Sequence, residues 1–509
     1  MLQISTGITK RQIYSRIPKS RNYAARVTGG ITGIGQPQTL KVSRTRGTPS
    51  TRTDLKEALL EKIPLHYDLL RKFRTRYGNS VVSHITVNDL YQGLKGVSTA
   101  VRETSEIDPK LGVKYRGLTI PEVVALLPRR GNSPCPEAVF WLLLTGDIPS
   151  HEQTASLTAD WISRRQRRRE WWAEKGGGIV GTVLKTLPEN VSPLGRLCVA
   201  LTTLRADKHM RDALKIGATT HTHWEYTYED CMELLATLPT IVGLVSQSKS
   251  LDHISDEGDW VDLLLDCLGN VAADDKGKKS SLGEFLRLYI TVNADEDSGS
   301  PGAHMTQILG YSTLDPSQAL AAGVMAYADE PQGGSMLQCM DFQAKLQNAL
   351  GCEPTETAMK SYLGLLVDRE ILPSGYKESE FCDPRYMMLR NFARERLPDA
   401  PQIKLSRSIS KVLIPMLKEA KSKNTWPEPN AIAAPIFQYY GLRDMEFNQV
   451  LLCMSRALGA VASIIWAKAI NAPVERPRSH STYTYVETQH NVQVKTKKYP
   501  VEDVKRFLK

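Results

Sequence analysis

The sequence has no CxxC pair, no apolar run of the 18 or more residues that a membrane-spanning helix needs, and no internal repeat at a solenoid period. Its eight cysteines stand singly between Cys135 and Cys453, which excludes a zinc site of paired cysteines and the disulfide framework of a small secreted protein. A chain of 509 residues with ordinary apolar and charged content therefore indicates a soluble globular protein in a reducing compartment.

Acidic residues are also missing from the N-terminus, where none precedes Asp54. Ten Lys and Arg lie in the first 53 residues, so the other 55 of the 65 basic residues balance the 55 acidic ones and the leader carries the whole net charge of +10. A basic, serine-rich leader without acids is typical of a mitochondrial transit peptide. We expect residues 1–53 to be such a leader and the protein to lie in the mitochondrial matrix, with a basic disordered arm as the alternative.

Long amphipathic segments, broken at Gly and Pro, follow from about Thr53 to Thr482 and predict a mostly α-helical fold. Ser150 and Gln153 form a capping-box pattern that begins one of the helices. The stripe at 260–268 is interpreted as core. Further helices are predicted at 136–144, 224–238, 282–292, 318–327, 357–365, 409–422 and 445–469.

One segment, SRRQRRREWWAEKGGG at 163–178, concentrates five arginines beside Trp171 and Trp172. Guanidinium groups neutralise phosphates and indoles stack on bases, so a nucleic-acid patch is one interpretation of the Arg164 to Trp172 insert. A solvated helix end followed by a glycine-rich loop is the simpler one. An acidic protein partner is the third.

Three arginines lie in the motifs DPRY (383–386), SRALG (455–459) and ERPRS (475–479). Together with YQGLKGV, RETSEIDPKLGVKYRGLTIPE, FWLLLTGDIP and QYYG, these motifs resemble citrate synthases of the mitochondrial type over most of the chain. The resemblance implies a large helical domain at 54–331 and 438–482, a smaller helical domain at 332–437, and a tail at 483–509. It also implies a dimer, either with a second copy or with an active paralogue.

The resemblance assigns substrate-binding roles to Arg385, Arg456 and Arg476, the last acting on the partner subunit's site. Oxaloacetate is a dianion, and arginine forks bind planar carboxylates through two parallel hydrogen bonds. The three matched arginines therefore predict a dicarboxylate site.

The positions that carry the family's chemistry differ. The family reaction removes a methyl proton from acetyl-CoA with a carboxylate base, stabilises the enol with one histidine and activates the ketone of oxaloacetate with another. SDHEGGN becomes ADEDSGS, which puts Glu296 where a histidine contacts oxaloacetate, and GPLHG becomes EPQGG, interpreted as Gln332 in place of the enol-stabilising histidine. PGYGHAV becomes PSGYKES, leaving Tyr376 or Lys377 near the other histidine's place, and VDAHSG becomes PNAIAAP, with Asn430 in place of the aspartate.

We predict no metal site. His221 and His223 could form a metal pair, but they precede a segment that is helical in the family and no third ligand is near them in sequence, so a structural role is favoured. Acids near the altered motifs are interpreted as solvated loop charge; these are Asp295, Glu296, Asp297, Asp329 and Glu330.

Three functions stay open. The favoured one is an inactive structural or assembly subunit of a large mitochondrial complex. The second is an active citrate synthase of the tricarboxylic acid cycle that uses substitutes such as Lys377, with acetyl-CoA as co-substrate and no other cofactor. The third is a regulator that binds a di- or tricarboxylate through the three arginines.

Overall fold

α-Helices make up most of the chain that the computed structural model describes. It describes residues 48–494 without 174–176, 205–208, 247–250, 252–253, 256, 270–275, 297–298, 313–314, 329–335, 352, 370, 372, 380 and 420–424. Most of the predicted leader, residues 1–47, and the end of the predicted tail, 495–509, lie outside this part of the chain.

The helices and strands of this part of the chain are numbered in chain order. In order they are α1 (Leu55–Tyr77), α2 (Val87–Tyr91), β1 (Ser105–Asp108), β2 (Gly112–Tyr115), β3 (Leu118–Thr119), α3 (Ile120–Leu126), β4 (Arg129–Arg130), β5 (Ser133–Pro134), α4 (Pro136–Thr145), α5 (His151–Arg167), α6 (Arg169–Trp172), α7 (Gly178–Lys185), α8 (Pro193–Thr203), α9 (His209–Lys215), α10 (His223–Val245), α11 (Trp260–Cys267), α12 (Lys276–Val292), α13 (Pro301–Ser312), α14 (Pro316–Ala328), α15 (Met336–Leu350), α16 (Glu356–Val367), β6 (Tyr376–Glu378), α17 (Pro384–Arg396), α18 (Pro401–Glu419), β7 (Thr425–Pro427), α19 (Asn430–Tyr439), α20 (Met445–Ala469) and α21 (Thr482–Val494).

The mostly α-helical fold predicted from the sequence is confirmed. The capping box is present, since the Ser150 hydroxyl accepts from the backbone N–H of Gln153 while the Gln153 side chain accepts from the Ser150 N–H. Helix α20 has the predicted bounds. Helix α18 begins at Pro401, before the predicted start at Ile409, and its first residue is a proline, which a helix accepts in its first turn. The strands form short antiparallel pairs, β1–β2–β3, β4–β5 and β6–β7.

Helix α20 lies at the centre of the larger core and packs against α10, α13 and α4. Its N-terminus is capped by Asp444, whose carboxylate accepts from the N–H of Phe447. By length and composition this helix could cross a membrane, which the sequence prediction of no span did not anticipate. However, 94% of its apolar window is buried inside the protein, as expected for a core helix that is apolar on every face.

A second, smaller hydrophobic core lies among α15, α16, α18 and β6. Its buried members are Leu346, Met359, Leu363, Tyr376, Leu405, Ile409, Val412, Leu413 and Leu417. All fall within 332–437, the segment expected to form the smaller domain. The domain boundaries themselves stay a prediction.

Candidate functional site at the matched arginines

Two of the three matched arginines lie on either side of one carboxylate. Arg385 is in the first turn of α17 and Arg456 is in the middle of α20, and both are buried. The Glu296 carboxylate, which follows α12, lies between them. Its Oε2 is 2.9 Å from Nη2 of Arg456, and its Oε1 is 3.9 Å from Nη1 of Arg385. The resemblance predicted an arginine pair here, and the structure supplies it with a partner from the same chain.

Arg385 is further held by the residue that caps its own helix. The Asp383 carboxylate accepts from the backbone N–H of Arg385 at 2.9 Å and pairs with Nη2 of the same side chain at 2.7 Å. Burial lowers the pKa of the Arg385 guanidinium, but the charge of Asp383 and its neighbours outweighs burial and the net direction is upward. Burial likewise raises the pKa of Asp383 and the guanidinium lowers it further than burial raises it. The pair is therefore charged.

Arg456 is tied to the segment that carries Glu296. Its Nη1 donates to the backbone carbonyl of Asp295 at 2.5 Å, while its Nη2 pairs with Glu296. Burial lowers the pKa of Arg456, the Glu296 carboxylate raises it, and the net direction is upward. Both Nη atoms are thus paired within the chain, whereas Nε is buried without a hydrogen-bond partner among the described residues.

The backbone at 294–296 is fixed by close packing against α20. The Gly459 N–H donates to the carbonyl of Ala294 at 2.9 Å. A Cβ at Gly459 would lie 2.1 Å from Cγ of Asp295, so only glycine allows this approach. The Tyr115 hydroxyl accepts from the N–H of Asp295 at 3.2 Å, and burial raises its pKa.

Asp295 belongs to a third ion pair of the cluster. Its Oδ1 lies 2.6 Å from Nη2 of Arg102, and these side chains are only 2% and 4% exposed. The same Oδ1 accepts from the backbone N–H of Glu296 at 2.8 Å, so this pair positions Glu296 as well. The cluster contains three guanidinium groups and three carboxylates, which makes it formally neutral: Arg102, Arg385 and Arg456 with Asp295, Glu296 and Asp383.

Arg476 does not join this cluster within the part of the chain that is described. It is exposed in the segment between α20 and α21. The preceding Glu475 pairs with His304 at 3.6 Å, which ties ERPRS to α13. The role of Arg476 on a partner subunit's site stays a prediction.

Two of the altered catalytic positions lie on neighbouring segments. Asn430 is in the first turn of α19, next to Ala431. Gly375 precedes Tyr376 with a φ of +86°, and a Cβ there would lie 3.1 Å from Cβ of Ala431. The Gly375 carbonyl also accepts from the N–H of Glu428 at 2.8 Å. The loop before β6 and the start of α19 are therefore packed together.

The side chains at these positions are not arranged as a catalytic pair. Tyr376 is buried in the smaller core, where its hydroxyl shares a hydrogen bond of 2.9 Å with Ser410 and burial raises its pKa. Lys377 is 46% exposed and pairs with Glu428 at 3.2 Å. Tyr376 therefore has a packing role, and of the two residues only Lys377 has a side chain at the surface.

Gln332 lies outside the described residues, within 329–335. Set letter for letter against GPLHG, EPQGG places Gly333 opposite the histidine and Gln332 opposite the leucine. The interpretation of Gln332 as the substituting residue is therefore one position out of register. With Gly333 in that place, no side chain of that residue could donate a hydrogen bond to an enolate.

Both tryptophans of the arginine-rich insert, and part of its arginines, are buried against the chain itself. Trp171 and Trp172 are each 3% exposed, so neither indole offers a face to a base. Arg164 pairs with Asp160 at 2.8 Å and with Glu229 at 2.7 Å. These contacts bury both tryptophans and pair Arg164 within the chain, whereas Arg167 and Arg169 are exposed.

The histidines singled out by sequence do not form a metal pair in the described structure. His223 begins α10 and its Nε2 lies 3.2 Å from the carbonyl of Ala218, while His221 is exposed in the preceding turn. A different group, His209, Asp230 and Glu233, has ligand atoms within 4.8 Å of one another. The only signal for this group in the sequence is the spacing of Asp230 and Glu233, which places them on one face of a helix.

The carboxylates of this second group are already occupied by donors. Asp230 accepts from the backbone N–H groups of His209 and Met210 at 2.8 and 3.1 Å. Glu233 pairs with Arg168 at 2.8 Å and with Nε2 of His209 at 3.3 Å, and its hydrogen bond raises the pKa of His209. The arrangement caps α9 and forms ion pairs, which leaves little carboxylate charge for a cation.

A cavity of about 650 Å³ lies elsewhere, at the N-termini of α8 and α20, and is lined by Arg196, Arg443 and Asp444 among others. None of the three matched arginines lines it. It is therefore distinct from the arginine cluster.

Solved structures of citrate synthases are similar to this fold. The citrate synthase of Pyrobaculum aerophilum matches with a TM-score of 0.63 at 18% identity, covering 77% of this chain and 92% of that one. The citrate synthase of Thermoplasma acidophilum, solved as a ternary complex with carboxymethyl coenzyme A and oxaloacetate, matches with a TM-score of 0.59 at 15% identity, covering 78% and 96%. The protein has the mostly α-helical fold of citrate synthases.

Sequence similarity extends the match. Residues 93–478 match the family described as "Citrate synthase, C-terminal domain". The chain is 32% identical over 466 residues to "Probable citrate synthase, mitochondrial" of Caenorhabditis elegans, covering 90% of this chain and 95% of the relative. It is 32% identical over 450 residues to "Citrate synthase, mitochondrial" of Xiphias gladius, covering 86% and 92%. The chain belongs to the citrate synthase family.

Proposed function

We propose that this protein is a mitochondrial matrix member of the citrate synthase family that does not carry out the condensation and serves as a structural or assembly subunit. The observation that carries the proposal is the position of Glu296. A carboxylate from the chain itself lies between the two arginines that the resemblance assigns to oxaloacetate. A dicarboxylate would have to displace it or lie beside it, and like charges at that distance repel.

The altered catalytic positions support the same proposal. Asn430 offers an amide where the family has a base, and an amide does not accept a proton in the physiological range. Losing one general base typically costs about 10²- to 10⁴-fold in rate, and losses within one catalytic unit do not add independently. Tyr376 is engaged with Ser410 instead of facing a ketone.

The location rests on two independent observations. The first is the acid-free basic leader of residues 1–53, proposed here as a transit peptide. The second is that the relatives in Caenorhabditis elegans and Xiphias gladius are named as mitochondrial.

An exposed apolar stripe supports a partner subunit. Leu65, Leu69 and Phe73 recur every four residues along α1 and are 59%, 47% and 55% exposed. Val81 and Val82, which follow the helix, are 71% and 82% exposed. Exposed apolar residues that recur on one face of a helix are typical of a surface that another subunit covers. We propose a dimer with a second copy or with an active paralogue, within a larger matrix assembly.

The second candidate is an active citrate synthase that condenses acetyl-CoA with oxaloacetate. Similarity to proteins of that name over most of the chain favours it. It would need a substitute base and a substitute for the ketone-activating histidine, for which Lys377 is exposed enough to be considered. The third candidate, a regulator that binds a di- or tricarboxylate, would need Arg385 and Arg456 to be released from Glu296.

A coupled assay for thiol release from acetyl-CoA and oxaloacetate separates these candidates. The purified protein without its leader is compared with Asn430→Asp and with an active citrate synthase as the positive control. We expect no release from the unmodified protein above the uncatalysed rate. Turnover would establish a substitute base and overturn the proposal. Sedimentation of a tagged chain from mitochondrial extract tests the assembly role, because a free dimer alone would contradict it.

A further inference from the structure

The carboxylate of Glu296 lies between two arginine side chains, as the carboxylate of a bound ligand would. It contacts Arg456 at 2.9 Å and lies 3.9 Å from Arg385, at the end of a segment whose backbone is fixed. Arg102 holds Asp295, Asp295 accepts from the N–H of Glu296, and Gly459 holds Ala294. The Glu296 side chain is 20% exposed, so its own face of the cluster is open to solvent.

We propose that Glu296 is an internal carboxylate ligand that occupies the arginine pair and excludes small dicarboxylates, and that removing its charge converts the chain into a dicarboxylate-binding protein. This inference deepens the proposed function and rests on it. It assigns to one residue the loss of ligand binding, separately from the loss of catalytic groups.

Tethering and charge both favour the internal carboxylate. A group held on the same chain competes at a high effective concentration, so a free dicarboxylate at ordinary concentration does not displace it. The neutral cluster also offers no net attraction to a dianion. Without the charge of Glu296, three guanidinium groups face two carboxylates, and the cluster carries an excess positive charge that attracts a dianion.

Glu296→Gln tests the proposal because it keeps the shape and removes the charge. Glu257→Gln is the matched control, since it removes one glutamate charge from an exposed position outside the cluster. Binding of citrate, oxaloacetate and succinate is measured by thermal shift and calorimetry, with sodium chloride at equal ionic strength as the reference. We expect saturable binding by Glu296→Gln that is at least about tenfold tighter than binding by the unmodified protein or the control.

The gain must depend on the arginines. Adding Arg456→Gln to Glu296→Gln should abolish the gain in dicarboxylate affinity. Binding at an unrelated surface site would not change. Equal binding by the unmodified protein and Glu296→Gln, or no binding by a folded Glu296→Gln, would overturn the inference. If Glu296→Gln does not fold, Glu296→His carries the same test, because histidine is the family's residue in this motif and is neutral above its ordinary pKa.

Failure of this inference and failure of the proposed function give different experimental results. Dicarboxylate binding by the unmodified protein without thiol release would overturn the internal-ligand inference and leave the proposed function standing. Thiol release by the unmodified protein would overturn both, because turnover requires oxaloacetate to bind. A free dimer in the sedimentation experiment, together with tighter binding by Glu296→Gln, would overturn the assembly role and leave the inference standing.

Discussion

Replacing Arg102 by methionine should destabilise the protein more than any exposed ion pair could. Arg102 and Asp295 are 4% and 2% exposed, and their atoms are 2.6 Å apart. Removing one partner of such a pair leaves an uncompensated buried charge, which costs about 3–5 kcal/mol. At about 2 °C per kcal/mol, the thermal midpoint should fall by about 6–10 °C.

The chain offers a matched control for this change. Arg71 pairs with Asp68 at 2.7 Å, but the two side chains are 75% and 41% exposed. Arg71→Met should therefore cost at most about 1 kcal/mol. The second partner gives the complementary test: Arg102→Met with Asp295→Asn should recover part of the loss, since the buried charge is gone.

The assay is thermal unfolding followed by circular dichroism, with all variants at the same protein concentration. Far-ultraviolet spectra below the transition check that each variant keeps its helices. If Arg102→Met melts within about 2 °C of the unmodified protein, the cost assigned to the buried pair is wrong. If the double variant is less stable than Arg102→Met, Asp295 stabilises the segment through its other contacts instead of through charge.

Two further predictions concern packing and pH. Gly459→Ala places a Cβ 2.1 Å from Cγ of Asp295 and should lower the free energy of unfolding by about 1–3 kcal/mol. Gly364→Ala is the control, because a Cβ has room there and should leave the thermal midpoint unchanged or raise it. Equal shifts of the midpoint in the two variants would contradict the close approach at Gly459. The pKa of His209 is raised by its hydrogen bond to Glu233, so this contact stabilises fully below the ordinary pKa of 6.5 and is lost as pH rises through the folded-state pKa. His209→Gln should therefore lower the midpoint more at about pH 6 than at about pH 8.5, and an equal loss at both would refute the assignment.

The fold could be predicted because helix signals are local. The capping box at Ser150, the break at Gly146 with a φ of +79°, and the apolar periodicity of α20 are each contained within a few turns of chain. Motif matching then placed Arg385 and Arg456 in one site, and the structure brings them together around Glu296.

The contacts between residues far apart in the chain could not be predicted from the sequence. The sequence predicts solvated loop charge at Glu296, whereas its pairing with Arg456 and Arg385 depends on the backbone at 294–296 reaching α20. That approach depends on the absence of a side chain at Gly459, more than 150 residues away. The burial of Trp171 and Trp172 was missed for a similar reason, because composition alone does not show which face of a basic segment is turned inward.

Helix α20 carries both the arginine of SRALG and the glycine against which the Glu296 segment packs, and nearly all of its apolar window is buried. Arg456 is therefore part of the core as much as part of a site. Replacing it would remove the 2.9 Å partner of Glu296, leave Arg385 at 3.9 Å, and open a gap beside the central helix. The SRALG motif therefore joins two segments of this chain that are far apart in sequence, through the side chain of Arg456 and the missing side chain of Gly459. Such contacts favour retention of the motif for the sake of the fold alone.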